Sequence, residues 1–216
     1  PLMTALNMNG FSVSLIALDA ARRAALLAPV GVPAWPVGVA VGAIERVPLH
    51  AALLPAAPVP SASAQVRAVL EGVIGRLIAL EEPLNALDAK VGDGDTGSTM
   101  AAAARSVRER LDQLPLNSAG ALCLGLGELL SRSMGGTSGV LLSIFFTATG
   151  SALLAGADWA AALEQGAARM QLYGGATVGD RTMLDSLLPA VGVLRAGGDL
   201  GAAAQAARQG AERSEE

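Results

Sequence analysis

The sequence lacks most of the residues from which many active sites are built. Its 216 residues include one cysteine, Cys123, and one histidine, His50, which excludes an internal disulfide and any triad or zinc site that needs several of them. Lysine occurs once, at Lys90, the net charge is −4, and no cluster of basic residues is present, which excludes a nucleic-acid-binding surface. Any chemistry must therefore come from carboxylates, hydroxyls and backbone amides.

Aromatic residues are also scarce, at 3% of the chain, and charged residues make up only 16%. The hydrophobic share of 52% excludes disorder over the whole length. A core of this size must be filled by aliphatic side chains and by alanine, of which there are 44. Alanine is the best helix former, so this composition predicts a helical protein whose helices approach one another closely.

Two uncharged stretches raise the question of a membrane span, since the mean hydropathy is +0.47. Residues 24–44 contain three prolines, which break a helix and predict an extended linker. Residues 133–157 begin with a glycine-rich turn, and the remaining apolar run, 140–155, is shorter than the roughly 20 residues of a span. We therefore predict a buried core helix, no membrane association, no signal peptide and a cytoplasmic location.

The first 60 residues differ from the rest in their proline content and in the pattern of their apolar residues. Apolar residues alternate within residues 5–18 after an Asn-Gly turn, which predicts a strand, and residues 19–28 predict a short helix. Seven prolines fall within residues 29–60 and predict a linker. Because a lone strand cannot satisfy its edges, residues 1–28 are interpreted as the remnant of another domain.

From residue 61 onward the pattern is helical, and residues 61–216 are predicted to be an all-α domain. One face of a first helix, capped by Ser61 or Ser63, is apolar at Val66, Val69, Leu70, Val73, Ile74 and Leu77. Further helices are predicted over residues 98–112, 118–132, 139–155, 158–173, 181–197 and 199–213. Asp158, Asp180 and Asp199 each precede a predicted helix as a plausible N-cap.

Three of the nine aspartates fall within eight residues, at Asp88, Asp93 and Asp95, and glycines alternate with them. Glycines let the backbone turn so that the carboxylates can point at one place, and hard oxygen ligands suit Mg²⁺ or Ca²⁺. The residues that follow, 96–99, open a helix whose hydroxyls and free amides suit a phosphate. A solvated Asp/Gly turn is the structural alternative. An EF-hand fits poorly, because Thr99 stands where its glutamate would be.

Two further motifs accompany this loop. The segment 134–139, Met-Gly-Gly-Thr-Ser-Gly, precedes an apolar helix and can bind phosphate through backbone amides or serve as a tight interhelical turn. The segment 179–185, Gly-Asp-Arg-Thr-Met-Leu-Asp, reads by itself as a helix start capped by Asp180.

Together and in this order, the three motifs make residues 61–195 resemble the nucleotide-binding (L) domain of dihydroxyacetone kinases. Residues 6–12 and the linker with Pro-Ala-Trp-Pro at 33–36 resemble the end of the substrate-binding (K) domain and the connector of the single-chain, ATP-dependent enzymes. The resemblance implies an eight-helix antiparallel α-barrel, with its last helix truncated here, and a homodimer in the full-length enzyme.

The resemblance also implies site residues. Asp88, Asp93 and Asp95 would bind two Mg²⁺ ions. ATP or ADP would be bound by Thr96, Gly97, Ser98 and Thr99 at the phosphates, by Gly136, Thr137 and Ser138 in a covering loop, and by Gly174 and Met183 on the base and ribose side. The family's substrate-linking histidine lies in the K domain, and His50 does not replace it.

The function expected from this resemblance is transfer of the γ-phosphoryl group of MgATP to dihydroxyacetone or a related triose held by a K domain. The fragment alone is expected to be inactive. The alternatives are a non-catalytic ADP-sensing or docking module of the same fold, and an L subunit of the phosphotransferase-system type.

Overall fold

The computed structural model describes residues 15–29 and 59–215. The chain divides into two units between residues 55 and 56. In the first unit, helix α1 spans Ala20–Leu27 and is capped by Asp19, whose carboxylate accepts the backbone N–H of Arg22. The predicted short helix is thus confirmed. Residues 15–18 form no strand, so that end of the predicted strand is wrong, and its remainder lies outside the described residues, as do most of the linker and His50.

The second unit is built from helices. They are α2 (Ala64–Ala79), α3 (Glu81–Asp88), α4 (Thr96–Glu109), α5 (Ala119–Ser133), α6 (Gly136–Leu154), α7 (Trp159–Gly174), α8 (Leu184–Arg195) and α9 (Leu200–Glu215). Among the described residues the only β-type pairing is a single bridge between Ser61 and Pro115. The predicted all-α class is confirmed.

Local capping accounts for most of the helix starts. Ser63 caps α2, Asp158 caps α7, and Asp199 accepts the N–H of Ala202 in the first turn of α9. The prediction for Asp180 is wrong, because α8 begins only at Leu184 and the carboxylate of Asp180 instead accepts the N–H of Thr177. Gly179 and Arg181 have positive φ angles of 99° and 57°, so the chain turns before helical geometry can begin.

Helix α3 was not predicted, although its sequence carries a start signal. Glu81 and Glu82 lie in its first turn, where negative charge interacts favourably with the helix dipole, and Pro83 follows them. The helix is only eight residues long, and that length gives little apolar periodicity to detect. Its C-terminal residue is Asp88, so α3 presents the first aspartate of the acidic motif.

The helices of the second unit pack mainly on neighbours in chain order, as antiparallel helices joined by short loops do. The α5–α6 pair shows why the aromatic content can be so low. A Cβ atom at Gly150 would lie 2.7 Å from the carbonyl oxygen of Gly120, and one at Gly120 would lie 2.9 Å from that of Gly150. The predicted close approach of helices is therefore found here in backbone-to-backbone contact.

Helix α6 is the one helix of the described residues that is long and apolar enough to cross a membrane by length and composition. It packs on α5 and α7, and Phe145, Thr149 and Ala152 are buried in these contacts. Only 28% of its apolar stretch is buried, and Val140 and Leu154 are exposed, so the structure supports the predicted core helix along one face of α6 only.

Candidate functional site

The loop between α3 and α4 is folded around the side chain of Asp88. One carboxylate oxygen, Oδ2, accepts the backbone N–H groups of Gly94 at 2.9 Å, Asp95 at 3.0 Å and Thr96 at 3.3 Å. These bonds, with that from Thr96 the largest cause, lower the pKa of the Asp88 carboxyl. Gly94 has a φ of 79°, a conformation that a side chain would strain. Asp88 therefore sets the shape of the acidic loop.

Three carboxylates meet at this loop. One oxygen each of Asp88, Asp93 and Asp95 lies within 4.8 Å of the others, and Asp93 and Asp95 are exposed. The charge of Asp93 is the main cause that raises the pKa of Asp95. Such mutual repulsion is relieved by a cation, and carboxylate oxygens are the ligands that Mg²⁺ prefers. The residues present therefore fit a hard divalent cation.

The first turn of α4 has two different faces. Thr96 and Thr99 face a cleft together with Asp93 and Asp95. Ser98 faces α3, where its N–H donates to Asn85 Oδ1 at 3.0 Å and its hydroxyl accepts from Asn85 Nδ2 at 2.9 Å. Gly97 is also buried against α3, where it meets the backbone carbonyl of Glu81. Of the four residues predicted to meet phosphate, the structure therefore turns two toward the cleft and two toward α3.

The opposite wall of the cleft is the start of α6. Gly135 occupies the N-cap position of α6 without a side-chain cap, and Gly136 has a φ of 70°. The first amides of this helix are therefore free to bind an anion. The cleft has a volume of about 320 Å³ and is lined by Asp93, Asp95, Thr96, Thr99, Met100, Met134, Gly135, Gly136, Thr137 and Ser138. It brings together two motifs that are about 40 residues apart in the sequence.

The third motif lies beyond this cleft. Gly174 ends α7 and packs against the Leu141 side chain of α6, while Met183 packs against the apolar cluster that contains Phe145 and Met170. Neither of the two predicted base-side residues lines the cleft itself. Asp185, which is 3% exposed, organises the loop between α7 and α8.

Asp185 acts on this loop as Asp88 does on the acidic loop. Its carboxylate accepts the N–H of Gly179 at 2.5 Å and that of Thr182 at 2.8 Å. These two bonds, in that order, are the main causes that lower the pKa of Asp185. The sequence analysis placed Asp185 in a motif and expected Asp180 to be the helix N-cap, and it did not predict this role of Asp185.

Four residues of the site were not predicted as site residues: Asn85, Met100, Met134 and Gly135. Met100 and Met134 supply the apolar part of the cleft, and both pack around Leu130 and Ala103. Met100 directly follows residues 96–99, and Met134 is the first residue of the 134–139 segment, so one lies beside and the other within a motif selected from the sequence. Asn85 lies three residues before Asp88, hence on the same face of α3, and that spacing was the available signal.

A helical domain that joins a carboxylate cluster to two helix N-termini belongs to a class suited to binding an anion together with a divalent cation. The model of the DAK2 domain family matches residues 90–216, and the chain belongs to this family. The resemblance to dihydroxyacetone kinases is confirmed.

Individual relatives agree with this assignment. Dihydroxyacetone kinase of Citrobacter freundii is 49% identical over 216 residues, which cover 99% of this chain and 39% of that protein. Triokinase/FMN cyclase of Homo sapiens is 40% identical over 198 residues, which cover 86% of this chain and 34% of that protein. The chain thus spans about two fifths or less of the length of these relatives.

A solved structure is similar as well. The crystal structure of the C. freundii dihydroxyacetone kinase in complex with AMP-PNP and Mg²⁺ matches with a TM-score of 0.74 and 48% sequence identity. The match covers 92% of this chain and 38% of the chain in the crystal.

Proposed function

We propose that this chain is the nucleotide-binding part of an ATP-dependent dihydroxyacetone kinase and that it binds MgATP or MgADP in the α4–α6 cleft. The observation that carries the proposal is the position of the carboxylate cluster beside the uncapped start of α6 in one cleft. A nucleotide phosphate chain with its cation needs both kinds of group at once. The complex of the C. freundii enzyme with AMP-PNP and Mg²⁺ supports this choice of ligand.

In this proposal Asp88, Asp93 and Asp95 hold two Mg²⁺ ions, as the family resemblance implies. When bound, the cations neutralise the charge of the phosphates during phosphoryl transfer. The backbone amides of Gly136, Thr137 and Ser138 bind phosphate oxygens from one side. The hydroxyls of Thr96 and Thr99 bind from the other.

The remaining predicted residues take supporting roles in the proposal. Ser98 and Gly97 meet α3, so their proposed contribution to phosphate binding is through the position of the helix start. Gly174 and Met183 border the part of the domain that we propose meets the base and ribose, because both pack against the same helix α6 that begins at the phosphate end of the cleft.

The activity of the whole protein extends this proposal. We propose that the γ-phosphoryl group passes to dihydroxyacetone or a related triose held by a K domain, in a homodimeric cytoplasmic enzyme. The names of the relatives, dihydroxyacetone kinase and triokinase/FMN cyclase, support a small polyol or keto substrate. The catalytic contribution of this chain is then confined to its metal ligands and to alignment of the nucleotide.

The ligand is tested by calorimetric titration of the chain with AMP-PNP in the presence and absence of Mg²⁺. Asp93→Asn and Asp95→Asn should each abolish the Mg²⁺-dependent binding, because each removes a charged oxygen ligand. Asp158→Asn is the matched control, since it removes one negative charge at a helix cap where asparagine caps equally well. Unchanged affinity in both cluster variants would contradict the metal assignment.

Transfer is tested separately by adding a purified K domain, ATP and dihydroxyacetone to the chain. Formation of phosphorylated triose is the expected result. Nucleotide binding with no transfer would instead favour the sensing or docking module.

A further inference from the structure

We propose that Asn85 is a positioning residue for the nucleotide site: it aligns the start of α4 with the acidic loop without touching nucleotide or cation. The proposal rests on the proposed function, because it concerns the same cleft. Asn85 lies on α3, is half-buried and does not line the cleft.

Asn85 uses both halves of its amide on a single residue of α4. Its Oδ1 accepts the N–H of Ser98 at 3.0 Å, and its Nδ2 donates to the hydroxyl of Ser98 at 2.9 Å. Asparagine supplies a donor and an acceptor from one planar group, and aspartate and leucine of similar size do not. The Ser98 N–H is one of the amides at a helix start that have no partner within the helix.

Two further contacts hold α3 against α4 near Asn85. Gly97 is buried against the Glu81 carbonyl, with no room for a side chain. Glu81 lies one turn before Asn85 on α3, and its carboxylate accepts a hydrogen bond from Arg105 of α4 at 2.5 Å. This hydrogen bond is the main cause that lowers the pKa of Glu81. The faces of α3 and α4 are therefore held in one register beside the cleft.

Asn85 and Asp88 lie on one face of α3, and each forms hydrogen bonds to the backbone at the start of α4. Asp88 binds the amides of residues 94–96, and Asn85 binds the amide of Ser98 two residues further on. The backbone held by these two contacts, residues 94–99, presents Asp95, Thr96 and Thr99 to the cleft. Loss of the Asn85 contact frees one end of this segment while every proposed ligand of the nucleotide remains present.

Small displacements of such groups weaken a site strongly, since ligand groups must be held within about 0.5 Å of their productive positions. We therefore expect Asn85→Ala to bind Mg²⁺–AMP-PNP at least about tenfold more weakly than the wild-type chain. Asn85→Asp keeps the acceptor for the Ser98 N–H, and the Ser98 hydroxyl can turn to donate to the carboxylate, so we expect its affinity to fall only about two- to fivefold.

The chain offers a matched control. Asn117 and Ser61 form another Asn–Ser pair, in which the Ser61 hydroxyl bonds Asn117 Oδ1 and accepts the Asn117 N–H at 3.1 Å. Neither residue lines the cleft. Asn117→Ala removes a comparable contact, so it should lower thermal stability while leaving the affinity for AMP-PNP within about twofold of wild type.

The test is titration of the 216-residue chain and its three variants with AMP-PNP at fixed Mg²⁺, at a temperature where circular dichroism shows each to be folded. The order Asn117→Ala, Asn85→Asp, Asn85→Ala in increasing loss of affinity supports the proposal. Wild-type affinity in Asn85→Ala, or an equal loss in Asn117→Ala, overturns it. If Asn85→Ala does not fold, Asn85→Leu, which fills a similar space without a donor or an acceptor, decides, and wild-type affinity in that variant refutes the positioning role. A wild-type chain that binds no nucleotide refutes the proposed function itself and the positioning role with it.

Discussion

The contact between α3 and α4 can be probed at its tightest point by Gly97→Ala. A Cβ atom at this position would lie 2.7 Å from Asn85 Oδ1 and 2.8 Å from the carbonyl carbon of Glu81, and it would overlap the oxygen of that carbonyl. Backbone of α3 cannot rotate away as a flexible side chain can, so the two helices would have to separate locally by about 1 Å.

Because the clash is with backbone, we expect a cost in the upper part of the overpacking range, about 2–3 kcal/mol, which leaves a net loss of about 1–2 kcal/mol after the roughly 1 kcal/mol that alanine gains over glycine inside a helix. For a domain of this size we expect a fall in melting temperature of about 2–8 °C. The same displacement moves the start of α4, and with it Thr96 and Thr99, so the affinity for Mg²⁺–AMP-PNP should fall at least about tenfold. Melting is followed by circular dichroism and affinity by calorimetry.

Gly75→Ala is the control for this experiment. Gly75 lies within α2, and a Cβ atom there would meet nothing within 4 Å. This variant should gain about 0.5–1 kcal/mol from helix propensity and melt about 1–4 °C higher with unchanged affinity. The reasoning is refuted if Gly97→Ala is as stable as Gly75→Ala, or if it binds the nucleotide as the wild type does.

Two further predictions concern stability alone. The folded-state pKa of Asp185 is lowered, so its hydrogen bonds stabilise the fold above the unfolded-state pKa, and this stabilisation is lost as the pH falls below about 4. Asp185→Asn should therefore melt at a lower temperature than wild type at pH 7, and the difference should shrink at pH 3. An equal difference in melting temperature at both pH values would contradict this. Thr149 is 1% exposed, and its hydroxyl has no hydrogen-bond partner among the described residues. Thr149→Val should therefore raise stability by about 1 kcal/mol in urea denaturation, whereas a loss would show that the hydroxyl is satisfied.

The helices of residues 61–215 could largely be predicted because their signals are local. Ser63 and Asp158 cap the helices that follow them, as their positions before apolar periodic segments indicated. The start of α8 could not be found in this way. Asp180 is a residue type that favours the N-cap position, but the positive φ angles at Gly179 and Arg181 delay the helix, which begins after Met183 without a side-chain cap and with Asp185 in its first turn.

The site residues also fall into two groups, those with a local sequence signal and those whose role depends on packing. The carboxylate cluster and the glycine-rich start of α6 could be predicted because each is contiguous in the sequence. The contribution of Asn85 could not, because it follows from the packing of α3 on α4, and α3 itself escaped prediction. Likewise, the sequence pattern does not separate Ser98 from Thr99, although the 100° rotation between successive helix residues points one at α3 and the other at the cleft.

The three carboxylates of the cluster are therefore unequal in a way that their spacing does not reveal. Asp88 is stabilised as an anion by three backbone amides. Asp93 and Asp95 are exposed, and Asp95 is destabilised as an anion chiefly by the charge of Asp93. Loss of Asp88 should thus unfold the loop as well as remove a proposed cation ligand, whereas loss of Asp93 or Asp95 removes repulsion from the unliganded protein. Binding measured in Asp93 and Asp95 variants therefore reports on the cation, and binding measured in an Asp88 variant reports on the cation and the loop together.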